Sequence, residues 1–132
     1  MIRKLEIKTN SRSEIIDITD KIQKVITDSK IKSGICIIYV PHTTAGITVN
    51  ENYDPSVKTD ILDYLEKIAP ASARYKHTEG NADSHIKTSV VGSSATLVIE
   101  DGKILLGSWQ GIMFCEFDGP RSRKLVIKIL VG

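Results

Sequence analysis

The chain has 132 residues, 41% hydrophobic and 26% charged, with a formal net charge of +2. That length suits one domain, residues 1–132, with a core large enough to need no disulfide or metal staple. The small charge, the scattered Lys and Arg and an aromatic set of one Trp, two Phe and four Tyr exclude the basic stripe and stacking platform of a nucleic-acid binder.

Leu5 and Ile7 alternate with Lys4, Glu6 and Lys8, the pattern of a half-buried opening strand. Glu14 to Ile18 reads as a second short strand running into Thr19, whose hydroxyl can cap a helix by accepting an orphan backbone N–H. Ile22, Val25 and Ile26 then repeat at helical spacing, and Gly34 closes the unit. Ile35 to Val40 is continuously apolar and rich in β-branched residues, which predicts a strand covered on both faces. It delivers Pro41-His42-Thr43-Thr44, after which Ile47 to Val49 resumes as a strand.

Asp54 is a helix cap, and Pro55 suits the first turn because its missing N–H is not needed there. Val57, Ile61, Leu62, Leu65 and Ile68 give that helix one apolar face, and Pro70 ends it. Periodicity is lost from Ala71 to Ser84, a long polar loop of the kind that compact domains keep for function. Ile86 to Val91 is a strand or a short helix. Ala95–Glu100 and Lys103–Leu106 flank Asp101-Gly102, a two-residue hairpin signal. Ile112 to Phe117, a turn at Asp118-Gly119-Pro120 and an alternating strand through Leu125, Ile127, Ile129 and Val131 complete the chain. The expectation is an α+β domain with seven or eight strands and two principal helices, its largely antiparallel sheet folded as a sandwich or partly closed barrel. Cys36 and Cys115 read as small buried hydrophobes whose pairing is possible but not implied. No secretory leader and no membrane span are visible, so a cytoplasmic protein is expected.

All three histidines lie in polar stretches: His42 before Thr43 and Thr44, His77 before Glu79 and Asn81, and His85 after Asp83. Together they can supply imidazoles to a divalent metal, Zn or Mg, with Glu51, Glu79 or Asp83 completing the shell. The same groups can move protons, and His42, Glu51 and His85 are the candidate catalytic set. His42 and His85 rest on firmer supports than His77 and are the preferred pair. A plain reading stands beside each. Thr43 and Thr44 can form a turn bonded to its own backbone, and Asp54 can serve only the helix dipole. Arg121 and Arg123 suit phosphate or carboxylate oxygens, but the residues alone favour a solvated pair guarding the last strand. Trp109, between Gly107 and Gly111, is a ligand-stacking wall or the core's largest anchor.

His42-Thr43-Thr44-Ala45, Asn50-Glu51 with Asp54-Pro55, Asp60, and Tyr75 with His77 are followed in order by further motifs. These are His85-Ile86-Lys87, Gly92, Gly107-Ser108-Trp109-Gln110, and Glu116-Phe117-Asp118-Gly119-Pro120-Arg121 with Arg123. In this combination the whole chain resembles the YjbQ-like family of secondary thiamine-phosphate synthases. Ser108 stands where that family usually has Thr, and Ile99-Glu100 where many members have a proline. The resemblance implies a homotrimer and a polar site between subunits, built from the histidine, glutamate and Trp-Gln motifs and holding a metal. Thr43, Thr44, Asn50, Trp109, Gln110, Arg121 and Arg123 would bind a phosphorylated or anionic small molecule. The implied reaction joins hydroxymethylpyrimidine diphosphate to thiazole phosphate and releases pyrophosphate, as a weak or secondary activity. The alternatives are a non-catalytic trimeric module that binds an anion or metal, and a metal-dependent hydrolase.

Overall fold

In the computed structural model, which describes residues 1–132, the alternating segments become strands of two antiparallel sheets. Sheet A holds β1 (Ile2–Lys8), β8 (Ser122–Val131), β3 (Gly34–Tyr39), β5 (Ser94–Glu100) and β6 (Lys103–Ile104), in that order. Sheet B holds β2 (Glu14–Asp17), β7 (Gln110–Glu116) and β4 (Ala45–Glu51). Ile7, Cys36, Ile38, Ile99, Leu125, Ile127 and Ile129 of sheet A share one buried cluster with Ala45, Ile47, Ile112 and Phe114 of sheet B. Each large aliphatic or aromatic side chain so buried contributes about 1.5–3 kcal/mol.

Helix α1 (Thr19–Ser29) adds Ile22, Val25 and Ile26 to this core. Helix α2 (Pro55–Ile68) covers the other face of sheet B, where Leu65 meets Cys115 and Phe117. Asp54 caps α2 as its sequence predicts, with Oδ1 accepting the Ser56 N–H at 2.9 Å. The α+β class and the sandwich arrangement therefore hold, and neither sheet closes on itself. No helix is long and apolar enough to cross a membrane. Cys36 faces the main core and Cys115 the α2 side of sheet B; both are free, and burial pushes their thiols up to about 11 and about 12.

The structure departs from the sequence reading in five places. Helix α1 ends at Ser29 with Lys30, at φ 61°, as its left-handed cap, so Gly34 opens β3 instead of closing the helix. Helix α1 begins with Ile18 in the capping position, and the Thr19 hydroxyl instead donates to Asp17 and accepts the Ile112 N–H at 2.9 Å, tying the helix to β7. A third helix, α3 (Ala82–Val91), occupies the segment left between strand and helix. Its buried face is the polar set Asp83, Ser84, Lys87 and Thr88 with Ala82, so hydrophobic spacing gave no sign of it. Strand β6 stops at Ile104. Finally, β3 is covered on one face only: Cys36 and Ile38 point into the core, whereas Ile35 and Tyr39 are exposed on the other face.

Candidate functional site

Strand β3 leaves its ladder after Tyr39, paired with Val126 of β8. Two residues further back along β8, the Lys124 N–H has no strand to bond, and His42 supplies the missing acceptor: its Nε2 takes that N–H at 2.8 Å. A nitrogen that accepts carries no proton, so the neutral ring holds its hydrogen on Nδ1. Partial burial and the nearby Arg123 charge hold the His42 pKa below its ordinary value of 6.5. His42 is therefore a neutral Nδ1–H donor near pH 7.

Beside it, the backbone of Thr44 and the strands β7 and β8 enclose a charged pair. Glu116 is fully buried and Arg123 is 4% exposed. Arg123 Nε donates to Glu116 Oε1 at 2.8 Å, and Nη2 donates to Glu116 Oε2 and to Thr44 Oγ1, the latter at 2.9 Å. Glu116 also accepts the Thr9 hydroxyl at 2.8 Å and the Asp118 N–H at 3.0 Å. Desolvation raises the Glu116 pKa, but the Arg123, Asp118 and Thr9 hydrogen bonds outweigh it and leave the carboxyl below 4.5. Only Nη1 of the Arg123 guanidinium is left free of these bonds.

Further lining comes from the segment leading into α3 and from the turn after β7. Asn81 Nδ2 donates to Asp118 Oδ2 at 2.8 Å, and Arg121 Nη2 donates to the same oxygen at 2.9 Å. Helix α3 is pinned behind them. The Ser84 hydroxyl donates to the Phe117 carbonyl at 2.5 Å, and the buried Asp83 carboxylate accepts from Arg12 at 3.0 Å and Lys87 at 2.9 Å. This anchoring presents His85, half-buried, to the cleft that His42 also lines.

The result is a cleft of about 560 Å³ lined by His42, Thr43, Thr44, Arg121 and Arg123, by Glu79, Asn81, His85 and Asp118, and by Tyr39 and Pro41. Its lining charges balance, two arginines against Glu79 and Asp118. The neutral His42 donor, the free Arg123 nitrogen, the exposed Arg121 and the Thr43 hydroxyl are groups suited to the oxygens of a small anion.

Four of the expected substrate-binding residues (Thr43, Thr44, Arg121 and Arg123) and the preferred pair His42 and His85 thus meet in one place. His77 stands one step away: its ring meets that of His85 edge to face at 5.1 Å, in an adjoining groove with Tyr75, Lys76, Ala82 and Ile86. Glu51, Asn50, Trp109 and Gln110 lie at the far end of the β4–β7 pair, six residues along β4 from Ala45 and so about 20 Å away. The Asn50 and Gln110 side chains serve their own turns, accepting the Glu51 and Gly107 N–H groups at 2.7 and 2.8 Å. Trp109 is 57% exposed, which removes the core-anchor reading. Arg123 is no solvated edge residue, and Thr44 bonds Arg123 rather than its own turn.

A metal shell does not form within one chain. No group of three or more His, Cys, Asp and Glu is placed to hold an ion. Asp83 is consumed by Arg12 and Lys87. His42 cannot ligate as a neutral imidazole through Nδ1 while Nε2 accepts the Lys124 N–H, because one of the two nitrogens must carry the proton. Asn81, Asp118 and Glu116 were not among the expected site residues. Glu116 did carry a signal, since a lone carboxylate inside Ile112 to Phe117 must find a buried cation and Arg123 follows closely.

The model of the UPF0047 protein YjbQ-like family matches residues 3–132. A UPF0047 protein of Methanocaldococcus jannaschii is 58% identical over 130 residues, covering 98% of this chain and 94% of its own. The UPF0047 protein YugU of Bacillus subtilis is 48% identical over 131 residues, covering 98% and 99%. Among solved structures, an uncharacterised YjbQ/UPF0047-family protein from Clostridium acetobutylicum superimposes with a TM-score of 0.94 at 49% identity, over 97% of this chain and 99% of that one. A YbjQ-like protein of unknown function from Sulfolobus solfataricus gives 0.95 at 32% identity, over 100% and 97%.

Proposed function

The chain belongs to the YjbQ-like UPF0047 family, and from that footing we propose that the His42–His85 cleft is an active site for a small phosphorylated or anionic metabolite. The observation that carries this reading is the fixed tautomer of His42. An imidazole locked as an Nδ1–H donor beside the free Arg123 nitrogen suits a ligand oxygen that gains negative charge as a bond breaks. In the reaction the family resemblance implies, the hydroxymethyl C–O bond to the diphosphate breaks as the thiazole nitrogen forms the new C–N bond. Pyrophosphate leaves with the electron pair. Arg121, Arg123 and His42 would neutralise that leaving group, and His85 would orient it from the α3 side.

The cleft has no glycine-rich phosphate loop, and Arg121 and Arg123 already hold Asp118 and Glu116. This supports a weak synthase, and it favours one alternative, a module that binds an anion without turning it over. The assay that separates them uses hydroxymethylpyrimidine diphosphate with thiazole phosphate, comparing the wild-type chain with His85→Ala. Pyrophosphate release lost in the variant supports the enzyme, whereas saturable diphosphate binding with no release in either protein supports the binding module.

The homotrimer belongs to the same proposal. Ile35, Ile37 and Tyr39 of β3, Val98 of β5 and Val126 and Leu130 of β8 line up across the uncovered face of sheet A through the pairs Ile35–Leu130, Ile35–Val98 and Tyr39–Val126. A second copy of the chain is the occupant this face suits, since the strip ends on Tyr39, which also lines the cleft, and would extend the cleft wall across the interface.

A further inference from the structure

The Glu51 end of the β4–β7 pair has chemistry of its own. Tyr53 and Trp109 are 77% and 57% exposed, although large aromatic side chains are ordinarily buried for most of their area. Their rings stand 5.0 Å apart at 77°, so the two planes form a corner. With Glu51, Asp54 and Pro55 they bound a shallow cleft of about 400 Å³.

The corner is held rigidly. The Trp109 carbonyl accepts the Asn52 N–H at 2.8 Å, and Gln110 closes the preceding turn through its side chain and its N–H. Asn52 is fixed in turn by its amide donating to Asp17 at 2.6 Å, and it packs so closely on Gly111 that a Cβ there would lie 2.6 Å from the Asn52 Cβ. These bonds fix the backbone that carries Trp109 and leads into Tyr53, whose rings both stand out in water. Beside them the Asp54 carboxylate caps α2, while the Glu51 carboxylate makes no hydrogen bond or ion pair with the chain, its residue engaging only through the backbone. Glu51 and Asp54 line the cleft, and Asp17, which holds Asn52, adds a third carboxylate: burial raises its pKa, but hydrogen bonds from Thr19 and Asn52, with the Lys58 charge, leave it lowered.

In this edge-to-face pair the edge of one ring rests on the face of the other, and the exposed face of the edge-on ring, with an unpaired carboxylate alongside, presents negative potential to the cleft. Such a corner attracts a weakly hydrated positive charge in preference to a metal ion or an anion. We propose that Tyr53, Trp109 and Glu51 form a binding site for a small organic cation of the methylated-ammonium class, separate in this chain from the His42–His85 cleft. The site does not rest on the function proposed for that cleft.

Trp109 is the sole tryptophan, so its indole N–H gives a single NMR cross-peak that reads the corner directly. Titration of the full-length protein with tetramethylammonium should move that peak saturably, and tert-butanol, a neutral compound of similar shape, should not. Glu51→Gln should weaken the cation about tenfold with the fold unchanged by circular dichroism, and Trp109→Ala should abolish saturation transfer to the cation's methyl protons. Equal shifts from both compounds, or undiminished binding in Glu51→Gln, would overturn the proposal. So would an indole emission shielded from acrylamide in the native assembly, because another copy of the chain would then fill the corner.

Discussion

His42 Nε2 accepts the backbone N–H of Lys124 at 2.8 Å, at the point where β3 has left β8 and a strand would otherwise have supplied a carbonyl. The contact gives one side chain two duties. It satisfies a backbone donor that would lose about 1 kcal/mol or more if left without a partner, and it fixes which ring nitrogen keeps the proton. A residue so placed can donate to an anion near neutral pH without carrying a charge, which a lysine in the same position cannot do.

The first prediction follows from that contact. Burial and the Arg123 charge depress the folded pKa of His42 below 6.5, so the unfolded chain takes up a proton before the folded one does. Its contribution to stability is therefore full above the unfolded value and is lost as pH falls through the lower folded value. Imidazole 15N shifts should report the Nδ1–H tautomer at pH 7 and a midpoint below that of a free histidine. An Nε2–H tautomer would remove both the donor role and the argument against metal ligation.

The Arg123–Glu116 pair should behave as structure first. Arg123→Ala leaves a fully buried carboxylate without its cation, and such losses cost about 3–5 kcal/mol. Arg123→Lys should recover only part, since an ammonium cannot bond both Glu116 oxygens and Thr44 in one plane. Because Glu116 titrates below 4.5, its stabilisation is present above that pH and declines as pH falls through the folded pKa. Urea denaturation at pH 7 and pH 3 measures both statements: the gap between wild type and Arg123→Ala should narrow at the lower pH.

Much of this fold was legible because its information is local. Alternation at Leu5 and Ile7, the Asp54-Pro55 cap and the Asp101-Gly102 turn each act within a few residues, and each appears where expected, with both turn residues at positive φ. Helix α3 was not legible because it packs through Asp83, Ser84 and Lys87, whose partners Arg12 and Phe117 are distant in sequence. For the same reason the grouping of His42, His85, Arg121 and Arg123 could be suspected from residue types, whereas Asn81 read as one polar group of a functional loop and Asp118 as a turn residue, with no sign that the two would bond each other. Glu51 shows the limit most clearly. Nearness to His42 in sequence suggested a shared pocket, but an extended strand separates its two ends faster than any other element. The two-sided burial read from Ile35 to Val40 is met on one face of this chain, and that unmet half is what the trimer proposal would fill.

The uncovered face of sheet A gives the third prediction. Ile35→Asp places a charge at the centre of the row formed with Leu130 and Val98, on a side chain that is exposed in the single chain. The fold should survive, with far-UV circular dichroism unchanged, while light scattering should show the wild-type trimer reduced to monomers. A variant that remains trimeric would move the interface elsewhere, and a wild-type monomer at micromolar concentration would remove the trimer altogether.

The last prediction concerns the anchoring of α3. Asp83 is almost wholly buried between Arg12, from the β1–β2 connection, and Lys87, one turn further along its own helix. Desolvation raises its pKa, yet the Arg12 and Lys87 hydrogen bonds leave it lowered, so the carboxylate stays charged and fixed at neutral pH. Lys87→Met keeps the length and apolar stem of the side chain but removes one charged hydrogen bond to Asp83 and the contact to Glu66 on α2, at a cost of about 2 kcal/mol. Because Asn81 and His85 flank Asp83, loosening this anchor should also reach the cleft. Ligand affinity or turnover per folded molecule should fall in Lys87→Met, whereas a destabilising change confined to the main core, such as Ile129→Val, should leave it intact. If both variants lose stability and neither loses function, α3 is held in place by its packing on β4, and the buried Asp83–Lys87 pair has no part in positioning His85.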